Sequence, residues 1–226
     1  MVTKGKSPAK AGKSSTPVRD ATREDILLCA AHLMRDQGYA MTTLRQIADA
    51  AGIKAASIYY HFASKDDLLL QVLDMGLNMV AKSVRDGVDA LGPKADNRSR
   101  LRAAVRGHLQ GLLGHGDFIS ANIRVYSQLP EAVRRKHRMV RRAYARYWDK
   151  LLQDGRDSGA LRTDIPLAVL RMSLLGMLNW TIEWFDGSES SIDEFSTYLD
   201  SILFDGMARP GRPKPAAGRR VAAKKR

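Results

Sequence analysis

From Thr42 to Lys65 the chain reads TTLRQIADAAGIKAASIYYHFASK, and its helix signals leave few ways to fold. Thr43 followed three residues later by Gln46 makes a reciprocal cap, so a helix starts there. Ile47 and Ala51 share one face, Ala48 allows close approach, and Gly52 can take the left-handed conformation that ends the helix. A second short helix is predicted from about Lys54 to His61, with Ile58, Phe62 and Ile53 turned inward. Ser64 with Asp67 forms another capping pair, starting a third helix at once. Two short helices about a glycine turn, closed by a third, describe a helix-turn-helix.

The outward face of the second helix carries Ala56, Ser57, Tyr59 and Tyr60. Its small residues, hydroxyls and rings suit a major groove, where hydroxyls reach phosphates and side chains touch base edges. Thr43, Ile47, Ala48, Ala51, Gly52, Ile58, Tyr59, His61, Phe62 and Lys65 with Leu68 resemble the TetR family signature in order and spacing. The resemblance implies an all-α transcriptional regulator over residues 21–207. Its DNA-binding domain spans 21–66, and its helical ligand-binding and dimerisation domain spans 67–207. It also implies a DNA interface of Thr43, Arg45, Lys54, Ser57, Tyr59, Tyr60, His61 and Lys65, with Arg45 and Tyr60 on bases and Tyr59, His61 and Lys65 on phosphates. Lys54 stands where many members have Ser and Ala56 where many have Gly, so the operator sequence stays open.

The formal net charge of +13 is concentrated at the ends: +4 in residues 1–20, +7 in residues 205–226 and +2 in the remainder. Both ends are rich in Lys, Arg, Ala, Gly and Pro with almost no large apolar residues, so tails at 1–20 and 208–226 are expected to be flexible and to add salt-sensitive affinity for phosphates. A hydrophobic content of 44% is ordinary for a globular chain of 226 residues. A single cysteine, Cys29, excludes an internal disulfide and points to a reducing compartment. No apolar run approaches a membrane span and no hydrophobic signal segment opens the chain, so a cytoplasmic, nucleoid-associated protein with no membrane partner is expected.

Arg23 to Asp36 is predicted as the first helix, with Ile26, Ala30, Leu33 and Met34 facing the core and Gly38 ending it. Beyond Asp66 the apolar spacing stays helical: a long connecting helix, then breaks at Gly92-Pro93, Gly114–Gly116, Pro130, Gly155–Gly159, Pro166 and Gly187–Ser191. The helix from Pro130 to about Asp157 sets a seam of Val133, His137, Val140, Tyr144, Tyr147 and Leu151 against many arginines. The helix at 166–185 is apolar almost all round and requires cover on more than one side.

No H-E-x-x-H, no G-x-S-x-G and no isolated carboxylate pair is present, so no catalytic residue is assigned and an enzyme is not expected. His108 and His115 share a helical spacing without a third ligand, so they are expected at the surface or in a pocket, and no metal site or cofactor is assigned. A homodimer on a palindromic operator of double-stranded DNA is expected, built from the helices at 166–185 and 191–207 through Leu174, Leu178, Phe195, Leu199, Ile202 and Leu203. The family resemblance implies the same pairing. Leu112, Phe118, Tyr126, Tyr144, Trp148, Met177, Trp180 and Trp184 are expected to line an apolar effector pocket. Arg134, Arg138 and Arg141 in the neighbouring basic run offer bidentate partners for phosphates. Asn122 through Tyr126, Arg134 and Trp148, with Asn179-Trp180 and Glu183-Trp184, also resemble TetR-type regulators of acyl-CoA catabolism. A ligand-released repressor with an acyl-CoA inducer is the resulting expectation. A lipophilic drug-like or free-acid effector, and a constitutive architectural DNA binder, are the alternatives.

Overall fold

The computed structural model describes residues 22–114, 118 and 125–207. The two basic tails, His115 and Asn122 lie outside the described residues. Among the described residues eight α-helices follow one another: α1 Arg23–Met41, α2 Leu44–Ala50, α3 Ala55–His61, α4 Lys65–Asp89, α5 Asn97–Gly114, α6 Glu131–Asp157, α7 Leu167–Trp180 and α8 Ile192–Met207. Single 3-10 turns occupy Tyr126–Gln128 and Thr181–Glu183. Among the described residues there is no strand, and the chain is all-α.

The chain forms two compact units, one of residues 1–76 with 117–137 and one of residues 77–116 with 138–226. A boundary at 66/67 was expected. The first unit instead keeps α4 as far as Gly76, because Leu68, Leu69, Val72 and Leu73 are all fully buried and the Phe118 carbonyl sits against Gly76.

In the first unit the cap at Thr22 closes reciprocally with Asp25 and opens α1. Ile26, Ala30 and Met34 are buried along one stripe, as their spacing predicts. Gly38 leaves the helical region at φ 78, ending the regular helix where expected. Ile47 and Ala48 of α2, Ile58 of α3 and Phe62 complete the core. Each large side chain so buried stabilises the fold by roughly 1.5–3 kcal/mol. The Arg23 guanidinium lies 5.5 Å from the centre of the Phe62 ring and its side chain donates to Gln71, holding α1 to α4.

In the second unit α5 packs on α7 and α8. Leu101, Val105, Leu109 and Leu112 of α5 are buried, as are Leu170, Leu174 and Leu178 of α7 and Leu199 and Leu203 of α8. The contact of α5 with α4 depends on absent side chains: a Cβ on Gly107 would lie 2.6 Å from the Ser83 carbonyl oxygen, and one on Gly111 would lie 2.8 Å from the Val80 Cα. The two helix backbones meet along this seam. The helix expected to reach Phe185 stops at Trp180. Thr181 is buried and its hydroxyl donates to the Leu178 carbonyl at 2.7 Å, which tightens the last turn into 3-10 form.

Candidate nucleic-acid interface and effector site

The geometry of the helix-turn-helix starts with its caps. Thr43 Oγ1 accepts from the Gln46 backbone N–H at 3.2 Å, and Gln46 Oε1 accepts from the Thr43 N–H at 2.8 Å. The preceding Thr42 is wholly buried and donates to the Gly38 carbonyl at 2.8 Å, so the two threonines divide the work of fold and surface. Gly52 takes φ +70 and reverses the chain. Ser64 Oγ accepts from the Asp67 N–H at 3.0 Å, but the Asp67 carboxylate reaches Ala63 N–H at 3.1 Å, one residue further back than the capping pattern predicts.

Of the residues expected at DNA, Thr43, Arg45, Lys54, Ser57, Tyr59 and Tyr60 are exposed, and His61 and Lys65 are half-buried. Tyr60 is 88% exposed and Tyr59 63%, which is unusual for large rings and keeps both out of the core. The Tyr60 ring meets His61 edge-on at 5.1 Å. Lys65 has partners within the chain. Its ammonium lies 4.1 Å above the Tyr39 ring and donates to the Ala40 carbonyl at 3.4 Å. Burial lowers its pKa against the pull of Asp66. The Tyr39 hydroxyl donates to Asp66, and burial with that bond pushes the phenol pKa up. Lys65 therefore helps anchor the start of α4.

The residues expected around an effector divide. Leu112, Tyr144 and Trp148 are buried in the second unit. With them stand His108, expected at the surface or in a pocket, and Asn179, which entered only through the resemblance. His108 Nδ1 lies 2.7 Å from the Tyr144 hydroxyl and Nε2 lies 3.1 Å from Asn179 Oδ1. The His108 and Tyr144 rings stack at 6.1 Å, and Trp148 stands edge-on to both. Burial pulls His108 down to about 4 and pushes Tyr144 up, so both are neutral at physiological pH. The register of His108 with Leu101, Ala104, Val105 and Leu112 on α5 was the available signal.

Phe118, Tyr126 and Arg134 belong to the first unit. Phe118 is buried, Tyr126 is half-buried, and Arg134 lies 3.2 Å from Glu131 and donates to the Leu129 carbonyl at 3.4 Å. Arg138 and Arg141 are exposed. Trp180 and Trp184 are 65% and 55% exposed and Met177 is exposed, so these three do not line an enclosed pocket of their unit. The residues expected between subunits are also placed differently. Leu174, Leu178, Phe195, Leu199 and Leu203 are covered by their own chain, because the i, i+4 spacing of Leu170, Leu174 and Leu178 turns them inward. Ile202 is exposed. Val169, Met172, Trp180, Trp184, Tyr198 and Ile202 form the outward apolar set.

Among the described residues, no group of three or more His, Cys, Asp or Glu side chains could hold a metal ion, and no helix is long and apolar enough to cross a membrane.

Residues 26–72 match the family of bacterial regulatory proteins of the tetR type, and residues 94–207 match the tetracyclin repressor-like C-terminal domain. The chain belongs to the TetR family. As a member it is a DNA-binding transcriptional regulator and not an enzyme. It is similar to the transcriptional repressor KstR2 of Rhodococcus jostii, at 27% identity over 86% of this chain and 95% of that one. The transcriptional activator FasR of Mycolicibacterium smegmatis is 40% identical over 38% of each chain. The crystal structure of AibR in complex with isovaleryl coenzyme A and operator DNA shares the fold, with a TM-score of 0.71 at 24% identity over 80% of this chain and 97% of that one.

Proposed function

We propose that this TetR-family regulator is a repressor that binds a palindromic operator as a homodimer and releases it when an acyl-CoA thioester enters the second unit. The single observation that carries the effector reading is the buried, uncharged His108–Tyr144–Trp148 cluster beside a cationic helix flank. On α6, Arg141 lies within two turns of both Tyr144 and Trp148 and Arg138 within two turns of Tyr144, a spacing that suits one ligand with its acyl chain among the rings and its phosphates on guanidinium groups. AibR, which shares the fold, was crystallised with such a thioester and with its operator. The exposed ring pair Tyr59–Tyr60 with Arg45 and Lys54 supports the operator contact. The outward apolar residues on and beside α7 and α8 support dimerisation, since large apolar side chains left exposed by their own chain suit an interaction site.

Isothermal titration with octanoyl-CoA and with octanoate, followed by a gel-shift assay of DNA release, tests the reading. Binding of the thioester alone, lost in Arg141→Ala and coupled to DNA release, is the expected result. Equal binding of the free acid, or thioester binding without release, overturns it. A monomeric mass at micromolar concentration in light scattering would refute the dimer.

A further inference from the structure

Two helices carry the chain out of the first unit: α4, which leaves it after Gly76, and α6, which leaves it after His137. Just before those exits the two helices are tied together. His137 Nδ1 lies 2.6 Å from Asp74 Oδ1, and the imidazole is wholly buried. A carboxylate oxygen can only accept, so Nδ1 carries the hydrogen and Nε2 is bare. Nε2 has no hydrogen-bond partner among the described residues, so the bond to Asp74 is the one that orients the ring. The nearest inward positions along both helices are apolar: Val133 on α6, and Leu69, Val72 and Leu73 on α4, all buried. Apolar packing is non-directional and lets one helix slide on another, whereas a hydrogen bond weakens steeply off its line. The Asp74–His137 bond therefore sets how α6 lies on α4. Gly76 is about 200° further round α4. There the Phe118 carbonyl stands so near that a Cβ would fall 3.0 Å from its oxygen. Helix α4 is thus gripped on two faces within three residues.

The lengths of the two helices give this grip its reach. From Asp74 helix α4 continues to Asp89, about 22 Å, and from His137 helix α6 continues to Asp157, about 30 Å. A tilt of about 10° at the exit moves the far end of α6 by about 5 Å, more than the ~3.4 Å rise of one base pair. Two copies joined through their second units would then meet half-sites of a different separation. We infer that Asp74 and His137 are positioning residues that set the half-site spacing accepted by the dimer. This rests on the reading of a dimer on a palindrome and adds to it the contact that decides the spacing.

The test uses a duplex selected by the wild-type protein from a random-sequence pool, with versions carrying one base pair more or fewer between the half-sites. Fluorescence anisotropy of the full-length protein reads the affinity for each duplex, and circular dichroism checks the fold of each variant. The wild type should bind the altered spacings about tenfold more weakly, the scale of one lost recognition contact. Asp74→Ala should abolish most of that preference. Asp74→Asn, whose amide oxygen still accepts from Nδ1, should keep it. His137→Leu fills the place of the ring with apolar atoms and should match Asp74→Ala, and it carries the test if that variant does not fold. A purely structural loss would weaken binding to all three duplexes alike and keep the preference, which overturns the inference and leaves the dimer standing. Loss of the preference in Asp74→Asn overturns it as well. A wild type indifferent to spacing removes the reading of a dimer on a palindrome, and this inference with it.

Discussion

The helix-turn-helix and the helices of the second unit obey the same packing rules but store their information differently. In the first unit each turn is dictated by residues three or four positions away: Thr43 with Gln46, Gly52 alone, Ser64 with Asp67. In the second unit the decisive residues answer to partners far along the chain. Gly107 is required by Ser83, and His108 by Tyr144 and Asn179. Local rules make a surface that can be read from sequence, and distant ones make a buried cluster that cannot.

The sharpest way to break this contrast is to add one methyl group in each unit. Gly107→Ala should lower the unfolding free energy by about 4 kcal/mol, because its Cβ would fall 2.6 Å from a backbone oxygen that cannot step aside. Gly52→Ala meets nothing within 4 Å and suffers only the left-handed backbone, about 1 kcal/mol. Urea unfolding of both variants reads the difference, and equal losses would dissolve the distinction.

Acid titration comes next and sets two groups of the second unit against each other. His108 has a pKa pulled from 6.5 to about 4, so the unfolded chain takes the proton first as pH falls. The stability it contributes is complete above about pH 6.5 and is lost toward pH 4, about 3 kcal/mol in all. Asp200 runs the other way. Burial raises its pKa from 3.8 to about 6, so its contribution is present below 3.8 and disappears as pH rises through 6. His108→Gln should flatten the loss between pH 6.5 and 4, and Asp200→Asn should steepen it, both measured as urea midpoints across that window.

Thr43→Ala removes the bond from the Gln46 N–H to Thr43 Oγ1 while leaving the backbone N–H of residue 43 on Gln46 Oε1, and should cost about 1 kcal/mol, with a parallel loss of operator affinity. The smallest effect on stability belongs to Tyr60→Ala. A ring 88% exposed should leave unfolding unchanged within about 0.5 kcal/mol while operator binding falls about tenfold in fluorescence anisotropy. Wild-type DNA affinity in a folded Tyr60→Ala protein would withdraw this ring from the interface.

What was legible follows from where each signal resides. The all-α class, the cap at Thr43, the turn at Gly52 and the outward tyrosines were readable because each is set by its near neighbours. The start of α4 was read almost correctly, Asp67 capping one residue further back than expected. The faces of α7 were not legible. A helix apolar all round gives no phase, so Leu174 and Leu178 looked as suited to a partner subunit as Trp180, and the inward turn of the leucines depends on α5. Asn179 was invisible as a member of the buried cluster because its partner is a histidine 71 positions away.

Helix α4 runs unbroken for 25 residues, yet its first half is counted with one unit and its second half with the other. Any chimera that grafts a different sensor onto this reader must therefore be spliced inside a helix, and the seam has a phase. One extra residue turns everything downstream by about 100° and advances it by about 1.5 Å, whereas seven bring it back to within about 20°. Fusions after Gly76 should therefore regain regulation with a period of about seven residues in linker length. This makes the junction a gear with a fixed number of teeth, where the flexible linker of an ordinary two-domain protein would accept any length.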